Sequence, residues 1–364
     1  MANNPKALYI HIPFCEHICK YCDFTKLFYF SKFEKPYLEA LKKEITSKVK
    51  NTIFTLYFGG GTPTALSDEG FEDILSFASK YLDSEYEFTV EANVENLTEN
   101  KLDIMKRCGV NRLSIGVQST CNKLLEEIGR YHTFEDAQKI IKLAKSKGFS
   151  NLNIDLIYGF KNESLNDLKK DLEEFIKLDI DHISIYSLIV EKGSMFYNQG
   201  YKTQNEEDSR KYYEFIVDFL RKHGYERYEI SNFARNKKYS RHNLTYWHNE
   251  EYFGCGLGAS GYVGGVRYEN TKSLPEYIKG NCISSSEKVD SKLFEEYYLI
   301  TNLRLEQGFE KSEYKKLFGI DFEEKYKNKI YNFELSKYFN FTNGRVCLND
   351  EGLLMMDFIL LKLI

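Results

Sequence analysis

The sequence predicts an α/β protein: a partial (βα)6 barrel followed by a small, mainly helical, winged-helix-like C-terminal domain. Three observations carry the prediction. Strand-like and helix-like segments alternate through the first 225 residues. Each strand-like segment has one apolar and one polar face. From about Asp290 the pattern changes to helices and one hairpin. Strand–helix alternation implies a parallel sheet with right-handed crossovers.

The strands are expected at Ala7–Pro13, Thr52–Phe58, Glu85–Glu91, Arg112–Val117, Asn151–Ile157 and His182–Leu188. The helices are expected at Phe33–Lys50, Asp68–Leu82, Thr98–Cys108, Phe134–Lys147, Leu165–Leu178 and Glu206–His223. Helices cover the outside of such a barrel, so the outward strand face must be apolar. Leu8, Ile10 and Ile12 supply that face in the first strand, and Leu113, Ile115 and Val117 in the fourth. The opposite face carries Tyr9, His11, Glu87, Glu91, Gln118, Asn153, Asp155 and His182. A full eight-stranded barrel is filled with apolar side chains. Here the interior is polar, and buried polar groups need partners. A polar ligand meets that need; an open sheet with one wet face is the alternative.

The remaining chain divides less clearly. With 364 residues and about 150 per domain, two domains or one large one are expected. Residues 1–225 form the barrel, 226–289 a glycine-rich extension, and 290–364 an accessory unit. Helices are read at Ser291–Leu303 and Lys311–Leu317, then a hairpin at Tyr338–Leu348 turning on Asn343–Gly344, and a final helix. Leu303, Phe309, Leu317 and Phe318 are expected to form that unit's own core.

Composition excludes several classes. Apolar residues make up 42% and charged residues 29%, the range of a globular protein rather than a disordered one. The 50 basic and 54 acidic residues sum to −4, which gives no overall footprint for nucleic acid. No run approaches the ~20 apolar residues of a membrane span. Peripheral membrane contact is left open. Met1–Lys6 lacks an apolar signal core, so a cytoplasmic location is expected. The eight cysteines are then reduced thiols.

The most specific feature is Cys15-x3-Cys19-x2-Cys22, just past the first strand. Functional groups of βα barrels gather at the C-terminal ends of strands. Three close thiolates suit an iron–sulfur cluster, or zinc with His11 or His17 as the fourth ligand. The second strand runs into Gly59-Gly60-Gly61-Thr62-Pro63, where backbone can approach a ligand closely.

Together these residues resemble the radical S-adenosylmethionine superfamily, with Tyr21 as the aromatic residue before the third cysteine. The resemblance narrows to the oxygen-independent coproporphyrinogen III oxidase-like family. Tyr9-Ile-His-Ile-Pro-Phe-Cys15, Leu113-Ser-Ile-Gly-Val-Gln118 and Asn153-Ile-Asp-Leu-Ile-Tyr-Gly159 carry it. The resemblance implies a [4Fe–4S] cluster on Cys15, Cys19 and Cys22, with S-adenosylmethionine chelating the fourth iron. It implies S-adenosylmethionine contacts from Tyr9, Tyr21, Gly60 and Glu91. Gly61, Thr62, Gln118, Arg130, Asp155 and, loosely, Ile189 match positions that hold a second molecule in the oxidase. The plainer alternatives are a solvated rim for Arg130 and a salt-bridged core carboxylate for Glu91.

Within that family two departures matter. Asp23–Phe24 stands where the decarboxylating oxidase has Gly-Cys, and the oxidase's long N-terminal extension is missing before Tyr9. Both features, and His242-Asn243-Leu244-Thr245-Tyr246-Trp247, resemble the HemW haem-chaperone branch, whose signature is H-N-x-x-Y-W. The resemblance implies haem binding and its transfer to an acceptor protein. His242 is the expected axial ligand, with Cys255 and His248 as rivals, and Tyr246 and Trp247 are expected on a porphyrin face. A buried histidine beside an aromatic anchor is the plainer reading of this motif. Arg235, Lys237, Lys238 and Arg241 are expected to receive the propionates. Oxidative decarboxylation of coproporphyrinogen III in porphyrin biosynthesis is the alternative, and a zinc-stabilised RNA-binding protein the third.

Overall fold

The computed structural model describes residues 4–364. Its centre is a nine-stranded sheet. Six strands are those expected: β1 (Ala7–Ile12), β2 (Ile53–Gly60), β3 (Leu82–Asn93), β4 (Arg112–Gln118), β5 (Leu152–Tyr158) and β6 (His182–Ser187). They lie side by side in sequence order, all parallel. The crossover helices span Ser31–Lys48, Asp68–Ser79, Glu99–Arg107, Phe134–Ser146 and Leu165–Lys177. Their starts are fixed locally. Ser67, Thr98, Thr133 and Ser164 each accept a backbone N–H as N-caps, and the last two form full capping boxes. In the Leu165–Lys177 helix, Leu168, Leu172 and Phe175 repeat at helical spacing and pack inward.

The alternation of strand faces places the core. Leu8, Ile10, Leu56, Phe58, Phe88, Val90, Ile115, Ile154 and Ile183 meet the helices in one large apolar cluster. The other face lines the barrel interior with polar groups, and its lower part is fully packed. His182 Nδ1 lies 2.6 Å from Asn153 Oδ1, and Asn153 Nδ2 donates to Ser114 Oγ across 2.8 Å.

Residues from the glycine-rich extension lengthen the sheet beyond the expected six strands. β7 (Glu226–Glu229) and β8 (Asn232–Ala234) form an antiparallel pair beside β6. β9 (Phe253–Cys255) adds a parallel strand outside β1. These strands are three or four residues long, too short for periodicity to reveal. β8 ends at Ala234 opposite His182, the first residue of β6. Residues 235–247 therefore emerge at the N-terminal end of the barrel. The helix Arg241–Trp247 closes that floor. A second sheet of three antiparallel strands follows at Ser260–Val263, Val266–Asn270 and Ile283–Lys288.

The tail has its own core of Tyr298, Leu303, Phe309, Tyr314, Phe322, Val346 and Ile359. Phe318 packs against it, but Leu317 is an exposed position, contrary to expectation. The hairpin turns where expected, with Asn343 and Gly344 both at positive φ. A helix at Phe322–Asn332 was not expected; its sequence is largely polar and only Phe322, Tyr326 and Ile330 are buried. Ion pairs join the tail to the barrel. Arg227 of β7 pairs with Glu306 and Asp350, and Glu229 accepts from Arg304 at 3.0 Å. Among the described residues no helix is long and apolar enough to cross a membrane.

Candidate functional site

β1 runs through Pro13 into Phe14–Cys15, which pairs in parallel with Leu27–Phe28. The loop between carries Cys19 and Cys22. It is pinned by Lys20 N donating to Ile128 O and Cys22 N to Cys19 O, at 3.0 and 3.2 Å. Cys15 is buried and the other two thiols are half-buried. Burial pushes the Cys15 thiol up, and pushes Cys22 to about 11.

All three cysteines line one cavity of about 410 Å³ at the C-terminal ends of the strands. Tyr21, Gly60, Gly61, Thr62, Glu91, Gln118, Arg130, Asp155 and Ile189 line the same cavity. Tyr9 does not. It faces a neighbouring cavity of about 340 Å³ with His11, Tyr246 and Tyr252, and its hydroxyl lies 3.0 Å from His11 Nδ1. Asp23 and Phe24 line both cavities.

The glycine loop has a steric reason. Gly60 has φ +109, and a Cβ there would lie 2.5 Å from the His11 ring. A Cβ on Gly61 would lie 2.7 Å from the Pro13 carbonyl carbon. The loop is thus drawn tight against the cysteine-bearing strand. Thr62 Oγ1 donates to Cys15 Sγ at 3.6 Å and accepts from Asn93 Nδ2 at 3.0 Å.

Two carboxyls sit inside this mouth. Glu91 accepts from the Tyr57 hydroxyl at 2.6 Å and the Gly60 amide at 3.1 Å. Burial raises its pKa to about 7, opposed by the Tyr57 hydrogen bond and aided by the Asp155 charge. Burial likewise raises Asp155 to about 6, against hydrogen bonds from Asn153 and Ser184. Glu91 is therefore no salt-bridged core carboxylate. Arg130 is no solvated rim either: it is buried, with Nη2 3.4 Å from the Tyr21 hydroxyl and Nη1 3.5 Å from Glu95 Oε2. Its Nε has no partner among the described residues.

Sequence reasoning missed Glu95 and His132. Glu95 ion-pairs with Arg130, and its Oε1 lies 3.0 Å from His132 Nδ1. Burial alone would raise its pKa, but His132 and Arg130 hold it down to about 2. The signal was available: Glu91, Asn93 and Glu95 continue the inward alternation of β3 beyond its expected end.

Of the two expected fourth ligands for zinc, His11 is engaged elsewhere, while His17 lines the cysteine cavity. His11 Nε2 lies 2.7 Å from the Thr25 carbonyl and Nδ1 faces Tyr9. His17 packs against Tyr131 in a tilted arrangement, ring centroids 4.1 Å apart and planes at 42°. Among the described residues no group of three or more His, Cys, Asp or Glu is gathered around one point to hold a single ion. Three thiols on one wall, with polar groups opposite, fit a cluster whose remaining iron takes an outside ligand.

The H-N-x-x-Y-W residues have separate settings. His242 has no exposed surface. Its Nδ1 lies 2.9 Å from Thr55 Oγ1, its Nε2 2.7 Å from the Tyr246 hydroxyl, and its ring stacks on Tyr57. Burial lowers its pKa to about 3, with Arg112 adding to the effect. Both ring nitrogens are engaged, so His242 is not an open axial ligand; the plainer reading fits it. Tyr246 walls the smaller cavity, and Trp247 lies under the Arg304 guanidinium at 4.7 Å. Cys255 has no exposed surface and sits in the main core. His248 is exposed. In the basic stretch, Arg235 pairs with Asp179 at 2.9 Å and Arg241 Nη2 donates to Glu85 O at 3.4 Å. This stretch lies at the barrel end opposite the cysteines.

Comparison with known proteins agrees with this architecture. Residues 9–175 match the radical SAM superfamily model and residues 292–355 the HemN C-terminal domain. Heme chaperone HemW of Lactococcus lactis is 38% identical over 97% of this chain and 95% of that protein. The protein of that name from Bacillus subtilis is 40% identical over 86% and 87%. The solved structure of coproporphyrinogen III oxidase (HemN) from Escherichia coli superposes with a TM-score of 0.86, covering 99% of this chain and 90% of that one, at 20% identity. That last likeness concerns the fold. The relatives at 38% and 40%, aligned over most of both chains, place this chain in the HemW family of radical SAM proteins.

Proposed function

We propose that the chain binds haem and passes it to an acceptor protein, and that it holds a [4Fe–4S] cluster and S-adenosylmethionine at the barrel mouth. The observation that carries the reading is the convergence of Cys15, Cys19, Cys22, Gly60 and Glu91 on one cavity, in a chain of the HemW family. Cys15, Cys19 and Cys22 would hold the cluster, which supplies one-electron chemistry and an iron open to the sulfonium ligand. Glu91 spends one hydrogen bond per oxygen on Tyr57 and Gly60. Its remaining lone pairs are free for the ribose hydroxyls. Gly60 and Gly61 let backbone approach the ligand without a Cβ between. Arg130, held by Glu95 and Tyr21, keeps a cation and a free Nε–H beside the cavity. Phe24 stands where the oxidase has a further cysteine, which argues against decarboxylation.

The test is anaerobic. Protein titrated with haem is mixed with excess apomyoglobin, and transfer is followed by absorbance. In parallel, coproporphyrinogen III is supplied with S-adenosylmethionine and a reductant. Saturable haem binding with transfer and no decarboxylation is expected. Formation of protoporphyrinogen would overturn the reading in favour of the oxidase.

A further inference from the structure

The barrel floor and the tail enclose a second large cavity, of about 660 Å³, within the ~300–1,000 Å³ typical of small-molecule sites. The end of the Arg241–Trp247 helix lines one side with Leu244 and His248, and the tail lines the other with Leu305 and Arg345. Tyr228 and Tyr239 lie between, their ring centroids 4.6 Å apart.

His248 differs from the protein's other floor histidines. His182 and His242 are fully buried with both ring nitrogens engaged. The His248 imidazole is exposed, faces this cleft and has no hydrogen-bond partner among the described residues. An exposed imidazole with no protein partner, beside aromatic walls, suits a planar, iron-centred ligand.

Carboxylate partners are close by. Arg345 and Arg221 reach the cleft edge, and their carboxylate partners Glu310 and Asp350 are both 57% exposed. Such exposed pairs are weak, so a ligand carboxylate can take the place of Glu310 on Arg345, whereas Asp350 is also held by the buried Arg227. Tyr239 also comes from the connector that bears Lys237, Lys238 and Arg241. Of that basic connector only Tyr239 lines the cleft itself, and Lys237, Lys238 and Arg241 lie within two residues of it in sequence.

Resting on the haem-binding reading above, we propose that haem occupies this cleft between barrel floor and tail, with His248 as an axial ligand and its propionates toward Arg345 and the 237–241 cations. The cluster site and the haem site then lie at opposite ends of the barrel. The layer of Glu87, Arg112, His182 and His242 separates them, so haem is cargo rather than a substrate of the mouth.

The experiment is a haem titration of the full chain, read at the Soret band, for wild type, His248→Ala and the triple variant Lys237→Glu/Lys238→Glu/Arg241→Glu. His248→Ala is expected to bind roughly tenfold or more weakly, with a shifted Soret maximum that added imidazole restores. The triple variant is expected to bind more weakly with the wild-type spectrum. A wild type that binds haem while His248→Ala keeps the same spectrum and affinity overturns the site and leaves the haem reading intact. A wild type that binds no haem overturns both. Unchanged affinity in the triple variant removes the propionate assignment. Because His248 is exposed, its substitution leaves the fold in place, which a thermal melt checks.

Discussion

The Tyr57 hydroxyl donates to Glu91 Oε1 across 2.6 Å, while the Gly60 amide holds the other oxygen. The strand that precedes the glycine loop and the loop itself thus fix one carboxylate between them. Its orientation toward the cavity is set before any ligand arrives.

That carboxylate makes stability depend on pH in the absence of ligand. Folded Glu91 titrates near 7, against about 4.3 for an unfolded glutamate. Between those values the folded state binds the extra proton, so stability falls as pH rises from about 4.3 to about 7. Asp155, near 6, adds a loss of the same sign. Glu91→Gln should flatten this slope in urea melts of the S-adenosylmethionine-free protein at pH 5 and pH 8. An unchanged slope would contradict the assignment.

His242 joins Thr55 on β2 to Tyr246 on the floor helix. Its removal leaves Thr55 facing a buried void. His242→Ala should cost about 2–4 kcal/mol of stability. Loss of haem binding in this variant should track unfolding, and stabilising conditions should recover it. Loss of binding at unchanged melting temperature would instead make His242 a direct ligand.

Arg227 is 4% exposed and meets Glu306 and Asp350 of the tail. Removing a buried partner is costly, but both carboxylates retain access to water. Arg227→Ala should destabilise by about 1–3 kcal/mol and expose the connection near residue 290 to limited proteolysis. Wild-type resistance would show that apolar packing alone docks the tail.

Gly60→Ala places a methyl group against the His11 ring at a φ that L residues rarely adopt. The expected result is weaker S-adenosylmethionine binding by calorimetry, with cluster iron retained. Wild-type affinity would remove the glycine loop from the site.

The barrel was legible because its signals are periodic. Strand faces alternate in polarity and the crossover helices carry caps, so six strands and their helices could be placed within a few residues. The cysteine mouth was legible because three cysteines share one loop. The short strands β7–β9 were not, since three or four residues carry no period. Tyr9 lines the neighbouring cavity, because parity fixes the face of a strand but not the height at which a side chain opens. The setting of His242 was not legible because a motif gives identities and no partners. Its neighbours Thr55 and Tyr57 lie on a strand nearly two hundred residues away in sequence. Glu95 and His132 were less legible because they lie past the end of a strand and a loop, where no motif marks them.

The most direct check of the central claim is a joint measurement of iron, acid-labile sulfide and haem in anaerobically purified protein, beside Cys19→Ala. Wild type should carry about four irons and four sulfides per chain and bind haem saturably. Cys19→Ala should lose the iron and sulfide yet keep the haem. Zinc without sulfide in the wild type, or no haem in either, would contradict the account.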